Sequence, residues 1–169
     1  MNTGNLKITA SGDREIVMTR AFDAPRHLVF EALTKPELLK RWLLGPGGWS
    51  LVVCDIDLNV GGRYRYVWRH DVKGTEMAMG GVYREIAPPE RLVHTEVFDE
   101  PWYPGAALIS TVLSEQAGIT TLTATLRYES RDARDGVLES PMEKGVAESY
   151  NRLEDVVSGG AQKGSQIVA

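Results

Sequence analysis

From Trp49 to Tyr128 the chain holds six successive stretches in which apolar side chains recur at every second position; near its C-terminal end the period changes to the three-and-four spacing of a helix. That order constrains the fold more than any other feature. The stretches are WSLVVCDIDL (49–58), GRYRYVWRH (62–70), TEMAMGGVYREI (75–86), ERLVHTEVF (91–99), ALISTVLSE (107–115) and ITTLTATLRY (119–128). The turns between them, NVGG, DVKG, APPE, EPWYPG and QAG, are too short for the crossover that parallel pairing requires, so the strands must form an antiparallel meander. A meander with an apolar face needs a cover. The C-terminal segment, about Leu138 to Val157, supplies one, with Met142, Val146, Ser149, Tyr150, Leu153 and Val157 on a single stripe. Pro141 is tolerated only near the first turn, which places the start of this helix at Ser140 or later.

Before the meander, REIVMTRAFD (14–23) alternates as a strand. DAPRHLVFEALT then opens a helix with Pro25 in its first turn, and Pro36 ends that helix and begins a second short one, PELLKRWLL, burying Leu38, Leu39 and Trp42. GPGG (45–48) stops it. The expectation is an α+β fold: a curved antiparallel sheet wrapped around a long C-terminal helix, with two short helices after the first strand. Residues 14–158 form a single domain, and residues 1–13 and 159–169 are expected to be flexible ends.

Composition narrows the function classes. The chain has 169 residues, 43% apolar and 25% charged, with a net charge of −4. Its start lacks an apolar signal core, no apolar run is long enough for a membrane span, and Cys54 has no partner for a disulfide, so a cytoplasmic protein is expected. Arg63, Arg65 and Arg69 alternate with Tyr64, Tyr66 and Trp68, as a strand that stacks single-stranded RNA would. The acidic balance of the whole chain argues against a nucleic-acid partner. The aromatic face is therefore read as the inner wall of a pocket and the arginines as its solvated outside.

Phosphate loops, zinc motifs and nucleophile elbows are absent, and His27, His70 and His94 share no metal-ligand spacing, so neither metal nor cofactor is expected. The chemistry-bearing pair is His94 and Glu96 in RLVHTEVF. They share a strand face with Leu92 and Phe98. If that face looks inward, an imidazole and a carboxyl stand in an apolar pocket, where their pKa values shift toward acid–base use. If Val93, Thr95 and Val97 look inward instead, the pair sits in water. A third reading makes it a satisfied polar pair that fixes register. Cys54, between Val52 and Ile56, reads as a small buried hydrophobe.

Four signatures, RAFDAPRHLVFEALTKPELLKRWLLGPGGW (20–49), DIDLNVGGRYRY (55–66), GGVYREIAPPERLVHTEVF (80–98) and the closing amphipathic helix, resemble the START-like (SRPBCC) superfamily with its helix-grip fold. More narrowly, the chain resembles the family of homologues of the activator of the heat-shock-protein-90 ATPase. The resemblance implies a cavity between sheet and C-terminal helix that takes a small hydrophobic or aromatic molecule. Trp42, Tyr64, Tyr66, Trp68, Met77, Met79, His94, Glu96, Phe98, Trp102 and Tyr150 are the residues expected around it. Two alternatives stand beside ligand binding. One is a cyclase- or hydrolase-type enzyme using His94 and Glu96. The other is a chaperone-interaction module, weakened because the separate N-terminal domain of the eukaryotic co-chaperones is not seen ahead of the first strand. Exposed strand edges admit a homodimer.

Overall fold

The structure, a computed structural model, describes residues 6–159. Eight strands form one antiparallel sheet in the order β1-β2-β8-β7-β6-β5-β4-β3. They are β1 (Lys7–Ser11), β2 (Glu15–Phe22), β3 (Trp49–Ile56), β4 (Arg63–His70), β5 (Glu76–Ala87), β6 (Arg91–Phe98), β7 (Ala107–Gln116) and β8 (Ile119–Arg127). Helices α1 (Arg26–Thr34) and α2 (Pro36–Trp42) lie between β2 and β3; α3 (Arg131–Glu139) and α4 (Met142–Glu154) follow β8, and α4 runs into a π-helical turn, Asp155–Gly159. The six strands of the meander begin and end within a few residues of their sequence signals. This is the helix-grip fold.

Local chemistry explains the two short helices. Lys35, held extended between Thr34 and Pro36, separates them because the residue before a proline is driven out of the helical region. The Trp42 indole N–H donates to the Ala32 carbonyl at 2.8 Å, and the Trp68 indole N–H donates to the Leu43 carbonyl at 2.8 Å. Two tryptophans thus tie α2 to α1 and to β4.

Two elements were not read from the sequence. Strand β1 falls within the N-terminal segment expected to be flexible and pairs with β2 from Lys7↔Thr19 to Ser11↔Glu15. Its residues are mostly solvated, so the order comes from ladder hydrogen bonds and not from an apolar face. Helix α3 begins ahead of the expected C-terminal helix, in a stretch to which no element was assigned, and the C-terminal helical region is therefore two helices. Ser130 caps α3 by accepting from the Ala133 N–H. The buried Arg134 guanidinium clamps it onto the β1–β2 hairpin, donating to the carbonyls of Gly12 at 3.1 Å and Glu15 at 2.9 Å. Most of the expected C-terminal end, residues 160–169, lies outside the described residues, as do residues 1–5.

The inner face of the sheet carries the core: Ile16, Met18 and Phe22 from β2, Leu122, Ala124 and Leu126 from β8, and Tyr150 and Leu153 from α4. Two charged side chains sit inside it. Arg20 and Glu154 are 2% and 0% exposed and form an ion pair at 3.6 Å, and the Arg20 guanidinium also donates to Asn151 Oδ1 at 3.1 Å. The second Glu154 oxygen accepts from the Asp23 N–H at 3.1 Å. Among the described residues no helix is long and apolar enough to cross a membrane.

Candidate functional site

Strand β4 sorts its side chains as its alternation implies: Tyr64, Tyr66 and Trp68 are buried, and Arg63, Arg65 and Arg69 are exposed. Arg65 makes a two-bond pair with Asp99 at 3.0 and 2.6 Å, and Arg69 pairs with Glu76 at 2.9 and 2.7 Å. The aromatic rings face the interior, and two of the outer cations are engaged by carboxylates.

Strand β6 resolves the alternatives left by its sequence. Its Leu92–His94–Glu96–Phe98 face looks inward. His94 pairs with Tyr83 on β5 and Ile109 on β7, and its ring lies edge-on to Tyr64 with centroids 5.1 Å apart. On the opposite face Val97 is 44% exposed. Val93, although also outward, is buried beside the irregularity between β5 and β6.

The hydrogen bonds fix the state of the imidazole. Tyr64 Oη lies 2.5 Å from the Thr95 carbonyl, which can only accept, so the hydroxyl proton is committed there. His94 Nδ1 lies 3.1 Å from Tyr64 Oη and 3.2 Å from the same carbonyl, and both now offer lone pairs. Nδ1 therefore carries the proton and Nε2 is the free base of a neutral ring, a tautomer assigned from the network. Desolvation holds the His94 pKa below its ordinary value, opposed by the hydrogen bond to Thr95.

Glu96 has the reverse problem. It is half-buried, receives no hydrogen bond among the described residues, and burial alone pushes its pKa up to about 7. A carboxyl that keeps some solvent contact while being so strongly desolvated stands in a recess. Its neighbours across the sheet are small on both sides. Ala107 pairs with it on β7, and Gly81 stands opposite it on β5, between the Gly80–Val97 and Tyr83–His94 pairs. Gly81 is required here: a Cβ would run into the Thr95 carbonyl and come within 2.9 Å of the Tyr64 ring. Beyond the small residues stand tyrosines. The hydroxyls of Tyr64, Tyr103 and Tyr128 are all raised in pKa, first by desolvation and then by the charge of Glu96. The Tyr103 ring is perpendicular to Tyr128 at 5.2 Å and to Phe98 at 6.3 Å, and its hydroxyl is buried with no hydrogen-bond partner among the described residues.

The other expected residues occupy different places around this wall. Met79 is buried beside Tyr66 and Phe98, and Met77, on the same face, is 47% exposed where the strand ends. Trp102 is 52% exposed and packs against Phe98 and Tyr103. Tyr150 reaches in from α4 against Phe22 and Trp42. Tyr83, Tyr103, Tyr128, Gly81 and Ala107 were missed as site residues. Tyr128 continues the inward alternation of β8, which was a usable signal; the two small residues have meaning only once the register is known.

Two open grooves lie on the outer face. One of about 820 Å³ runs over β3 to β6, floored by Gly80 and Gly81 with Asp55, Arg63, Arg65 and Asp99 at its rim; one of about 380 Å³ adjoins it at Arg84, Val93 and Leu108. Neither is lined by His94 or Glu96. Size favours the outer groove, but Arg65 and Asp99 at its rim already satisfy each other, whereas the Tyr103 hydroxyl and the Glu96 carboxyl, which receive no hydrogen bond among the described residues, stand inside. Among the described residues no group of three or more His, Cys, Asp or Glu side chains is placed to hold a metal. Cys54 is buried and free, its thiol pushed up to about 11 chiefly by burial.

The sequence model of one family, described as Activator of Hsp90 ATPase homolog 1-like protein, matches residues 23–158. The chain belongs to that family. Solved relatives of the Activator of Hsp90 ATPase homolog 1-like chain agree in fold. A protein from Rhodobacter sphaeroides is 30% identical with a TM-score of 0.85, over 92% of this chain and 99% of that one. A protein from Nitrosomonas europaea is 24% identical with a TM-score of 0.78, over 90% and 99%. An AHSA1-like protein from Aeromonas hydrophila is 17% identical with a TM-score of 0.69, over 84% and 93%. No curated protein matches the chain. The family assignment confirms the resemblance carried by the four sequence signatures, and its residues 23–158 include His94, Glu96 and the tyrosines around them.

Proposed function

We propose that the protein binds a small apolar or aromatic molecule between the inner face of the sheet and the helices, where Tyr64, His94 and Glu96 converge. Glu96 carries the reading: a carboxyl on an aromatic wall, desolvated, and given no hydrogen bond by the described residues. The unpartnered Tyr103 hydroxyl beside it adds to the same demand. Leaving such a group unsatisfied costs about 1–3 kcal/mol, which a ligand offering the missing partner recovers. The surrounding rings supply apolar contact area, and Met79 adapts to differing shapes.

Thermal denaturation with a panel of small aromatic and alicyclic compounds tests this. Binding raises Tm with ligand concentration as mass action requires, and NMR shifts concentrate on His94, Glu96, Tyr103 and Tyr128. A panel that leaves Tm unmoved, or shifts confined to the outer groove, overturns it.

The free Nε2 lone pair of His94, two residues from a carboxyl that ionises near neutrality, favours acid–base catalysis as a second reading. That reading requires turnover whose pH profile is abolished by His94→Ala combined with Glu96→Ala. Binding without turnover decides against it.

A further inference from the structure

We infer that the recess around Glu96 receives the ammonium head of a cationic ligand whose remainder is apolar. This inference rests on the ligand-binding reading above and names the ligand's chemistry.

Three observations combine. First, Glu96 has no counter-ion: among the described residues no lysine, arginine or histidine forms an ion pair or hydrogen bond with it. Second, the residues beside it on β5 and β7, Gly81 and Ala107, are small and put no polar side chain next to it. Third, the next residues outward are rings. Tyr64 lies beyond Gly81, and Tyr103, whose ring is perpendicular to those of Tyr128 and Phe98, feels the Glu96 charge as Tyr128 does.

A ring face is negative and attracts a cation, so a carboxyl with several aromatic rings near it suits an ammonium group. The unpartnered Tyr103 oxygen can accept one N–H and the Glu96 carboxylate another. An anionic ligand would place a second negative charge in the recess. A neutral carbonyl would accept a hydrogen bond from protonated Glu96 but would gain nothing from the ring faces.

The two chemistries respond oppositely to pH. An ammonium ligand needs ionised Glu96, so its affinity rises as pH rises through the Glu96 pKa of about 7. A carbonyl needs the protonated acid, so its affinity falls. The titratable groups facing Glu96 are Tyr64 from β4, Tyr103 from the β6–β7 loop, Tyr128 from the end of β8, and His94 on its own strand. The tyrosine hydroxyls stay neutral throughout, being raised by burial. His94, if protonated at low pH, would repel a cation in the same direction as loss of the Glu96 charge, and a substitution at Glu96 separates the two.

The experiment measures dissociation constants of benzylammonium, acetophenone and benzoate by NMR titration at about pH 8 and about pH 5.5, the ammonium staying charged at both. Benzylammonium is expected to bind about tenfold or more tighter than acetophenone at the higher pH and to lose about tenfold or more at the lower, with benzoate the weakest. Glu96→Gln, neutral and nearly isosteric, should remove both the cation preference and its pH dependence while acetophenone still binds. Tyr128→Leu, which leaves the carboxyl in place, should weaken benzylammonium several-fold. Acetophenone matching or exceeding benzylammonium at the higher pH overturns the ammonium inference and leaves apolar binding intact. So does an unchanged benzylammonium affinity in Glu96→Gln. Failure of all three probes, together with every neutral compound of the thermal panel, removes the binding reading itself.

Discussion

Arg20 on β2 and Glu154 at the end of α4 face each other at 3.6 Å with side-chain exposures of 1% and 0%. They lie at opposite ends of the domain sequence, and the pair fastens the C-terminal helix to the sheet. Desolvating two charges is expensive, so the pair contributes less to net stability than its geometry suggests, yet removing either partner leaves the other charge buried without this ion pair.

Glu154→Gln or Arg20→Met is therefore expected to cost about 3–5 kcal/mol. Joint replacement by Met and Leu should be far less damaging than the sum of the singles. Chemical denaturation in a double-mutant cycle measures this. Additive single and double effects would show that the two charges are not coupled.

Glu96 makes stability depend on pH in an unusual sense for a carboxylate. Its folded pKa, about 7, lies above the ordinary carboxyl value of 4.5. The folded state thus holds the proton more tightly, and stability from this group is full below about pH 4.5 and declines as pH rises toward about 7. The swing is about 3 kcal/mol, opposed by His94, whose lowered pKa gives stability that is full above about 6.5 and lost as pH falls. Glu96→Gln should flatten the decline and leave the variant more stable than the parent at about pH 8. Denaturation midpoints across this range check the sign; a decline unaltered in the variant would assign it to another group.

The Tyr64–His94–Thr95 arrangement requires the Nδ1–H tautomer. Nitrogen chemical shifts of His94 should show Nδ1 protonated and Nε2 bare at neutral pH. Tyr64→Phe removes the donor to the Thr95 carbonyl and should cost about 1–2 kcal/mol. Finding the proton on Nε2 would contradict the network.

Ala117 is the non-glycine residue of the described chain with positive φ, at 54°, followed by Gly118 at 78° in the two-residue turn between β7 and β8. This turn favours Asn-Gly or Gly-Gly, and alanine is strained there. Ala117→Gly or Ala117→Asn should stabilise by about 0.5–1 kcal/mol, with nothing altered at the inner face. A lower melting temperature in both variants would refute the strain.

How much of this was legible depends on whether a residue's neighbours are local in sequence. Alternation placed the six meander strands, and the flanking prolines placed α1 and α2, because period and breaker chemistry act over a few residues. Strand β1 escaped because a polar edge strand has no face pattern, only a partner. Helix α3 escaped because its polar sequence is organised by Ser130 and by carbonyls that Arg134 meets across the fold.

The same division runs through the site. Sequence alone determined that Tyr64, Tyr66 and Trp68 share a face, and that His94 and Glu96 share another with Leu92 and Phe98, because a strand alternates by geometry. Which way β6 faced was open, since both of its faces carry apolar residues. Strand pairing decided it, placing His94 against Tyr64 and setting Gly81 and Ala107 beside Glu96. It also carried Tyr128 and the Tyr103 loop to a carboxyl far from them in sequence. Desolvation depends on what surrounds a group in space, so a glutamate that is ordinary in the sequence becomes an acid that ionises near neutrality only in the folded chain.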